Sequence, residues 1–374
     1  MSEFWNRRTK NLSPYIPGEQ PRDRRFVKLN TNENPYPPSP KAIDAIAKAA
    51  NGDLRLYPDP ACTAFRDAVA ERHGVRREQV FAGNGSDEVL GFAFGAFFGS
   101  SADGAPPVLF PDITYSFYSV YAKLWDVPYR TVPLDDGFAI TVADYMPTSG
   151  GVPPGGVVFP NPNAPTGMAL PPEQVLSLAE CLERHGKVLI LDEAYIEFGG
   201  GGASAVGRID GHRNLLVVHT LSKSASLAGL RVGYAIGSEP LIEGLCRIRD
   251  SFNSYTLDRL ALAGAAAAVL DTEYYDMVNR KVIATRERVT RALLDFGFTV
   301  LPSAANFVFA KAPGIGGADF FAALRRRGIL VRHFDRDRIA DFLRISIGTD
   351  DEMDEFLDAA KAVLENPGLD GSGK

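Results

Sequence analysis

Only three of the 374 residues are cysteine, and Cys62, Cys181 and Cys246 lie far apart. No CxxC pair occurs, so neither a zinc ribbon nor a disulfide framework is indicated. The five histidines never fall in HExxH spacing, which removes a helical zinc-protease motif. Basic excess is missing too: the net charge is −6, opposite in sign to that of a general nucleic-acid binder. The first ten residues lack the apolar core of a signal peptide. The apolar runs at 89–98 and 260–270 fall well short of the ~20 residues a membrane-spanning helix needs. Together these absences predict a soluble protein of a reducing cytoplasm, with no metal site, no nucleic-acid partner and no membrane.

What is present suits a large globular chain, with 45% hydrophobic and 23% charged residues. At this length two domains are the natural expectation. Prolines crowd the first forty residues, which predicts an extended arm over 1–38 and no helix there. Helical spacing begins at Ser39 and recurs over 63–73, stopped by Gly74. Apolar runs at 79–82, 107–110, 156–159, 187–191, 215–218 and 231–236 are mostly separated by helical segments. That rhythm predicts an α/β fold over 39–262, with a mostly parallel sheet covered on both faces. Beyond it, a long helix over 273–296, strands near 307–310, 329–332 and 342–347, and helices over 318–327 and at the end predict a smaller α+β domain over 263–374. The Gly/Ser-rich tail 367–374 is expected to be loose.

Ligands of such sheets bind outside the carboxyl ends of the strands, and four polar segments sit at such ends. Lys223 follows the run 215–218, flanked by Ser222 and Ser224, with Arg231 downstream. It reads either as an ordinary lysine in a serine-rich loop or as a desolvated amine that forms a Schiff base with pyridoxal phosphate. Asp192 and Glu193 end the run 187–191. A Walker B reading of that acidic pair requires a GxxxxGK[ST] loop upstream, and none exists. A carboxylate there could instead hold the proton of a pyridine nitrogen, with Tyr195 at the ring oxygen. The turn Gly83-Asn84-Gly85-Ser86-Asp87 opens a helix, and reads as an anion cradle or as a plain helix cap. The last segment, Asn161-Pro162-Asn163-Ala164-Pro165-Thr166-Gly167, is a rigid turn that could also place an amide.

In this order, the four segments resemble the fold-type I pyridoxal-phosphate aminotransferases over nearly the whole chain. The resemblance implies that Lys223 carries the cofactor, Asp192 meets the pyridine nitrogen, Tyr195 meets the ring oxygen and Tyr115 stacks on the ring. Gly85, Ser86, Asp87, Ser222 and Arg231 would surround the phosphate. Tyr57 would reach it from a neighbouring subunit, so a homodimer is implied. The family has asparagine directly before Pro-Thr-Gly. Here Ala164 stands there, leaving Asn163 or Asn161 to supply the amide.

LSPYIPGEQP at 12–21, LNTNENP at 29–35, LVRHF at 330–334 and FLRISIGT at 342–349 resemble the histidinol-phosphate aminotransferase branch of that family. This implies a phosphorylated amino alcohol as substrate and 2-oxoglutarate as amino acceptor, giving glutamate. A guanidinium binds a phosphate with paired hydrogen bonds. Arg344, Arg332, Tyr15 and Asn32 are the implied substrate residues. Arg332 also reads as a surface charge beside Asp335. Arg344 lies in an apolar strand, where burial without an anion is costly. Aromatic amino-acid aminotransferases and threonine-phosphate decarboxylases share many of these motifs. A cofactor-binding DNA regulator does not fit, because no helix-turn-helix pattern precedes the first helix.

Overall fold

The structure, a computed structural model, describes residues 3–15, 18–21, 24–147, 151–199 and 204–365. The tail expected to be loose lies outside the described residues.

The arm contributes β1 (Val27–Lys28). Seven strands then form the central sheet: β2 (Val80–Gly83), β3 (Val108–Pro111), β4 (Tyr129–Val132), β5 (Gly156–Pro160), β6 (Leu189–Asp192), β7 (Leu215–Thr220) and β8 (Gly233–Ile236). Their order is β2-β8-β7-β6-β5-β3-β4. All contacts from β7 through β4 are parallel, whereas β8 runs antiparallel to both β7 and β2. A parallel return needs a crossover, usually a helix. The β7–β8 connection has only a short 3-10 turn at Ala228–Leu230 and reverses at Arg231, whose φ is 58°. The inner strands are buried at every position, as strands covered on both faces must be. No strand was expected at β4, because Arg130 and Thr131 are exposed on this sheet edge and break its apolar run.

On one face, the helices Gly85–Phe97 and Glu239–Phe252 bury Leu90, Phe94, Ile242 and Leu245. The other face is covered by Thr63–His73, Pro172–Glu183 and Arg259–Leu270.

The second unit holds β9 (Thr299–Val300), β10 (Phe307–Lys311), β11 (Ile329–Leu330), β12 (Arg332–His333) and β13 (Phe342–Ser346). Four of these form an antiparallel sheet in the order β12-β13-β10-β9. The strand expected at 329–332 divides at Val331, because β11 pairs with the arm strand β1 and β12 with β13. The long helix Thr272–Asp295 packs Val282, Val289 and Leu293 into this unit's core.

The arm departs from expectation at Arg7–Asn11, which is helical. Those residues precede Pro14, so no ring blocks the turn, and the Asn6 side chain caps it by accepting from the Thr9 N–H at 2.8 Å. Among the described residues no helix is long and apolar enough to cross a membrane.

Candidate active site

The strand ends converge on a cavity of about 180 Å³ lined by Ser86, Asp87, Tyr115, Asp192, Tyr195, Ser222, Lys223 and Arg231, among others. Asp192, at the end of β6, is buried, and it accepts from the Tyr118 hydroxyl at 3.0 Å and from the Ala194 N–H at 3.2 Å. Burial pushes its carboxyl up to about 6, against the opposing pull of those two donors. Lys223, just past β7, donates from Nζ to the Thr31 carbonyl at 3.1 Å. Burial, then the nearby Arg344 cation, lowers its amine to about 8, with Glu33 and Asp87 opposing. A lysine so placed is partly neutral near physiological pH and can act as nucleophile or base.

A helix start that could cradle an anion borders this cavity through Ser86 and Asp87. The helix Gly85–Phe97 points its N-terminus inward, where free N–H groups and the helix dipole favour negative charge. Arg231 donates to Asp87 at 3.0 Å, and Asp87 also accepts from the Tyr115 hydroxyl at 2.6 Å. As an acceptor-only group, the Asp87 carboxylate fixes the guanidinium and the tyrosine but offers an anion no donor of its own. Gly85 has φ +80°, and a Cβ there would lie 2.6 Å from Arg231 Nη2. The backbone therefore approaches the guanidinium as only glycine allows.

A second cavity opens beside the first and shares Tyr115 and Ala164 with it. Tyr15, Arg332, Arg336 and Arg344 line it. Arg344 donates through Nη2 to the Asn30 carbonyl at 3.0 Å, while its buried Nε has no partner. Neither Arg344 nor Arg332 forms an ion pair among the described residues, and Arg332 lies over the Phe334 ring at 5.5 Å. The reading of Arg332 as a surface charge beside Asp335 does not describe this geometry. Burial lowers the Arg344 guanidinium below its ordinary value, and Arg332 reinforces that shift. Uncompensated guanidiniums in one cavity are the donor set of an anion site.

Several expected residues are elsewhere. Asn163 does not line either cavity, because its amide is spent inside the turn. It donates to the Ile113 carbonyl at 3.0 Å and to Thr166 Oγ1 at 3.2 Å, and it accepts from Thr114 at 3.0 Å. Asn161 is likewise bonded to the Leu170 backbone. The residue of this turn that reaches both cavities is Ala164. Asn32 lines neither cavity and sits behind Tyr195, donating to its hydroxyl at 3.0 Å. Tyr57 is 79% exposed and lines neither of these cavities, with its ring stacked on Tyr255 at 4.6 Å. Sequence reasoning missed Tyr118, Thr31 and Arg336. Tyr118 lies three residues after Tyr115, and its N–H donates to the Tyr115 carbonyl at 3.3 Å, a turn spacing that could have marked it. Thr31 acts through a backbone carbonyl, which leaves no trace in residue type.

The sequence pattern of aminotransferase class I and II matches residues 24–359. A histidinol-phosphate aminotransferase of Clostridium beijerinckii is 49% identical, with 98% of this chain and 99% of that protein covered. Histidinol-phosphate aminotransferase 1 of Bordetella parapertussis is 53% identical, covering 98% of this chain and all of the other. Among solved structures, the histidinol-phosphate aminotransferase of Sinorhizobium meliloti in complex with pyridoxal-5'-phosphate superposes with TM-score 0.84 at 25% identity, covering 98% of this chain and 99% of that one. The aspartate aminotransferase of Thermus thermophilus with maleate shares the fold, with TM-score 0.77 at 20% identity, over 91% of this chain and 92% of its own. The fold is thus that of the fold-type I pyridoxal-phosphate aminotransferases, and this chain belongs to the class I and II aminotransferase family.

Proposed function

We propose that the chain moves the amino group of L-histidinol phosphate to 2-oxoglutarate, giving imidazole acetol phosphate and glutamate, with pyridoxal phosphate in the first cavity. The observation that carries this reading is the second cavity, lined by Arg332, Arg336 and Arg344 with no carboxylate and adjoining the cavity that holds Lys223. A phosphate monoester brings up to two negative charges and needs more than one guanidinium. The relatives at about half identity bear the matching name.

The residues of the first cavity fit the cofactor. Its phosphate suits the helix start at Gly85, Ser86, Ser222 and Arg231, where a Cβ on Gly85 would fill the cradle. Asp192 would hold a proton on the pyridine nitrogen, with Tyr118 and the Ala194 N–H fixing the carboxylate. Tyr115 borders both cavities and is anchored through Asp87, as suits a ring-stacking residue. When bound, pyridoxal phosphate supplies a conjugated ring that accepts the electron pair left on the substrate carbon. Lys223 Nζ would hold the cofactor covalently at rest, then serve as base and acid once the substrate amine has displaced it. Arg344, Arg332 and Tyr15 would bind the substrate phosphate and so orient the reacting carbon towards Lys223.

Tyr57 we assign to the neighbouring site of a homodimer, given its exposure and that of Leu54, Leu56 and Phe252. We also place the chain in a reducing cytoplasm, where Cys62, Cys181 and Cys246 would stay reduced.

The test is the first half-reaction, followed by the cofactor's absorption spectrum with histidinol phosphate, phenylalanine and threonine phosphate side by side. Histidinol phosphate is expected to convert the cofactor fastest. Equal or faster conversion by phenylalanine would assign the site to aromatic amino acids, and loss of carboxyl carbon from threonine phosphate would assign it to decarboxylation.

A further inference from the structure

Three consecutive arm residues touch three functional side chains. The Asn30 carbonyl accepts from Arg344, the Thr31 carbonyl accepts from Lys223, and the Asn32 amide donates to Tyr195. Asn32 is held tightly. It is buried, and its φ of 56° lies in the left-handed region that asparagine tolerates. Its backbone N–H donates to Ser346 Oγ at 2.9 Å, and its carbonyl accepts from Asn306 Nδ2 at 3.0 Å. Ser346, at the end of β13, returns its own proton to Asn32 Oδ1 at 2.9 Å. The amide oxygen therefore faces Ser346, and Nδ2 faces the Tyr195 hydroxyl at 3.0 Å.

A tyrosine hydroxyl carries a single proton. With Nδ2 donating to its oxygen, that proton cannot point at Asn32. No acceptor for it exists among the described residues, and Tyr195 lines the first cavity. Ala164 borders the same cavity with a methyl group and offers no amide. We propose that Asn32 is a positioning residue that commits the Tyr195 proton to the cavity, making Tyr195 a one-way donor to the oxygen on the cofactor ring. The proposal rests on the reading that pyridoxal phosphate occupies this cavity. It links the arm and the small sheet to the electronics of the ring, because the amide's direction is set by Ser346, two residues beyond Arg344.

Asn32→Asp is the decisive change. Aspartate keeps the size and tolerates the left-handed backbone, but it presents acceptors only and would take the Tyr195 proton away from the cavity. In the cofactor-loaded enzyme, the pH at which the visible absorption band changes is expected to rise by about one unit or more, since the ring oxygen loses its donor. Tyr195→Phe should raise that midpoint similarly, and Asn32→Asp should add nothing in the Tyr195→Phe background. An additive shift in the double variant means the carboxylate acts by charge alone and overturns the proposal, as does an unmoved midpoint in Asn32→Asp. An unmoved midpoint in Tyr195→Phe overturns the reading of the cofactor site itself. Where Asn32→Asp yields no folded protein, Ser346→Ala frees the amide to turn. A smaller rise that vanishes in the Tyr195→Phe background then supports the proposal, and no rise overturns it.

Discussion

Asp192 is costly to the cofactor-free chain when ionised. Its folded value of about 6 lies above the ordinary 3.8, so its stabilising contribution is complete below about pH 4 and is lost as pH rises through 6. The difference corresponds to something on the order of 3 kcal/mol at pH 8. An asparagine in its place keeps an acceptor for Tyr118 without the charge. Asp192→Asn is therefore expected to raise the melting temperature of the cofactor-free protein at pH 8, with a gain that shrinks towards pH 4, while cofactor function falls. Thermal melts of both proteins across this range check it; a gain that does not depend on pH would refute it. Such a trade of stability for function is expected where a charge is held for chemistry. At this scale the placement of Lys223, Asp192 and Arg344 at the cavities was legible, because a charged residue at an apolar strand's end or middle has few structural excuses. Asn163 was misleading: an amide in a proline-rich turn has backbone groups of its own to satisfy, and those took it. Thr31 was invisible, since its contribution is a carbonyl.

Elements place these residues through close backbone contact. The strand β8 begins at Gly233, whose Cα faces the start of the helix Gly85–Phe97. A Cβ on Gly233 would collide with the Ser86 backbone nitrogen and would lie 2.6 Å from the Gly85 carbonyl carbon. These are backbone atoms, as is the His219 carbonyl oxygen at 3.0 Å, and they cannot yield as a side chain can. Gly233→Ala is expected to cost about 3 kcal/mol by overpacking and to weaken cofactor retention, because the shifted helix start is the proposed anion cradle. Gly229→Ala, with open space around its Cα, should leave both unchanged. Urea unfolding and cofactor titration of the two variants check this, and equal behaviour of the pair would contradict it. Most strands could be read from apolar runs bounded by glycine, proline or charge, and the helix over 63–73 falls where its spacing and Gly74 put it. What could not be read were features set by partners: the edge strand β4, the antiparallel turn into β8, and the division at Val331 between two sheets.

At the scale of the whole molecule, Tyr57 bears on how each site is built. It projects from its own chain next to exposed Leu54 and Leu56, stacked on Tyr255, and a surface of this kind suits burial against a second copy. In a homodimer built this way, each site takes Lys223 from one chain and Tyr57 from the other. That arrangement makes a prediction no single chain can satisfy. A Lys223→Ala chain paired with a Tyr57→Ala chain has one site damaged twice and one site intact. Hybrids purified through two different tags should then regain about half of the wild-type activity per dimer at limiting cofactor, as expected when one of two independent sites is whole. If Tyr57 served its own chain's cavity, both sites of the hybrid would carry one lesion each, and activity would stay at the level of the parents. The hybrid thus separates a shared site from two private ones.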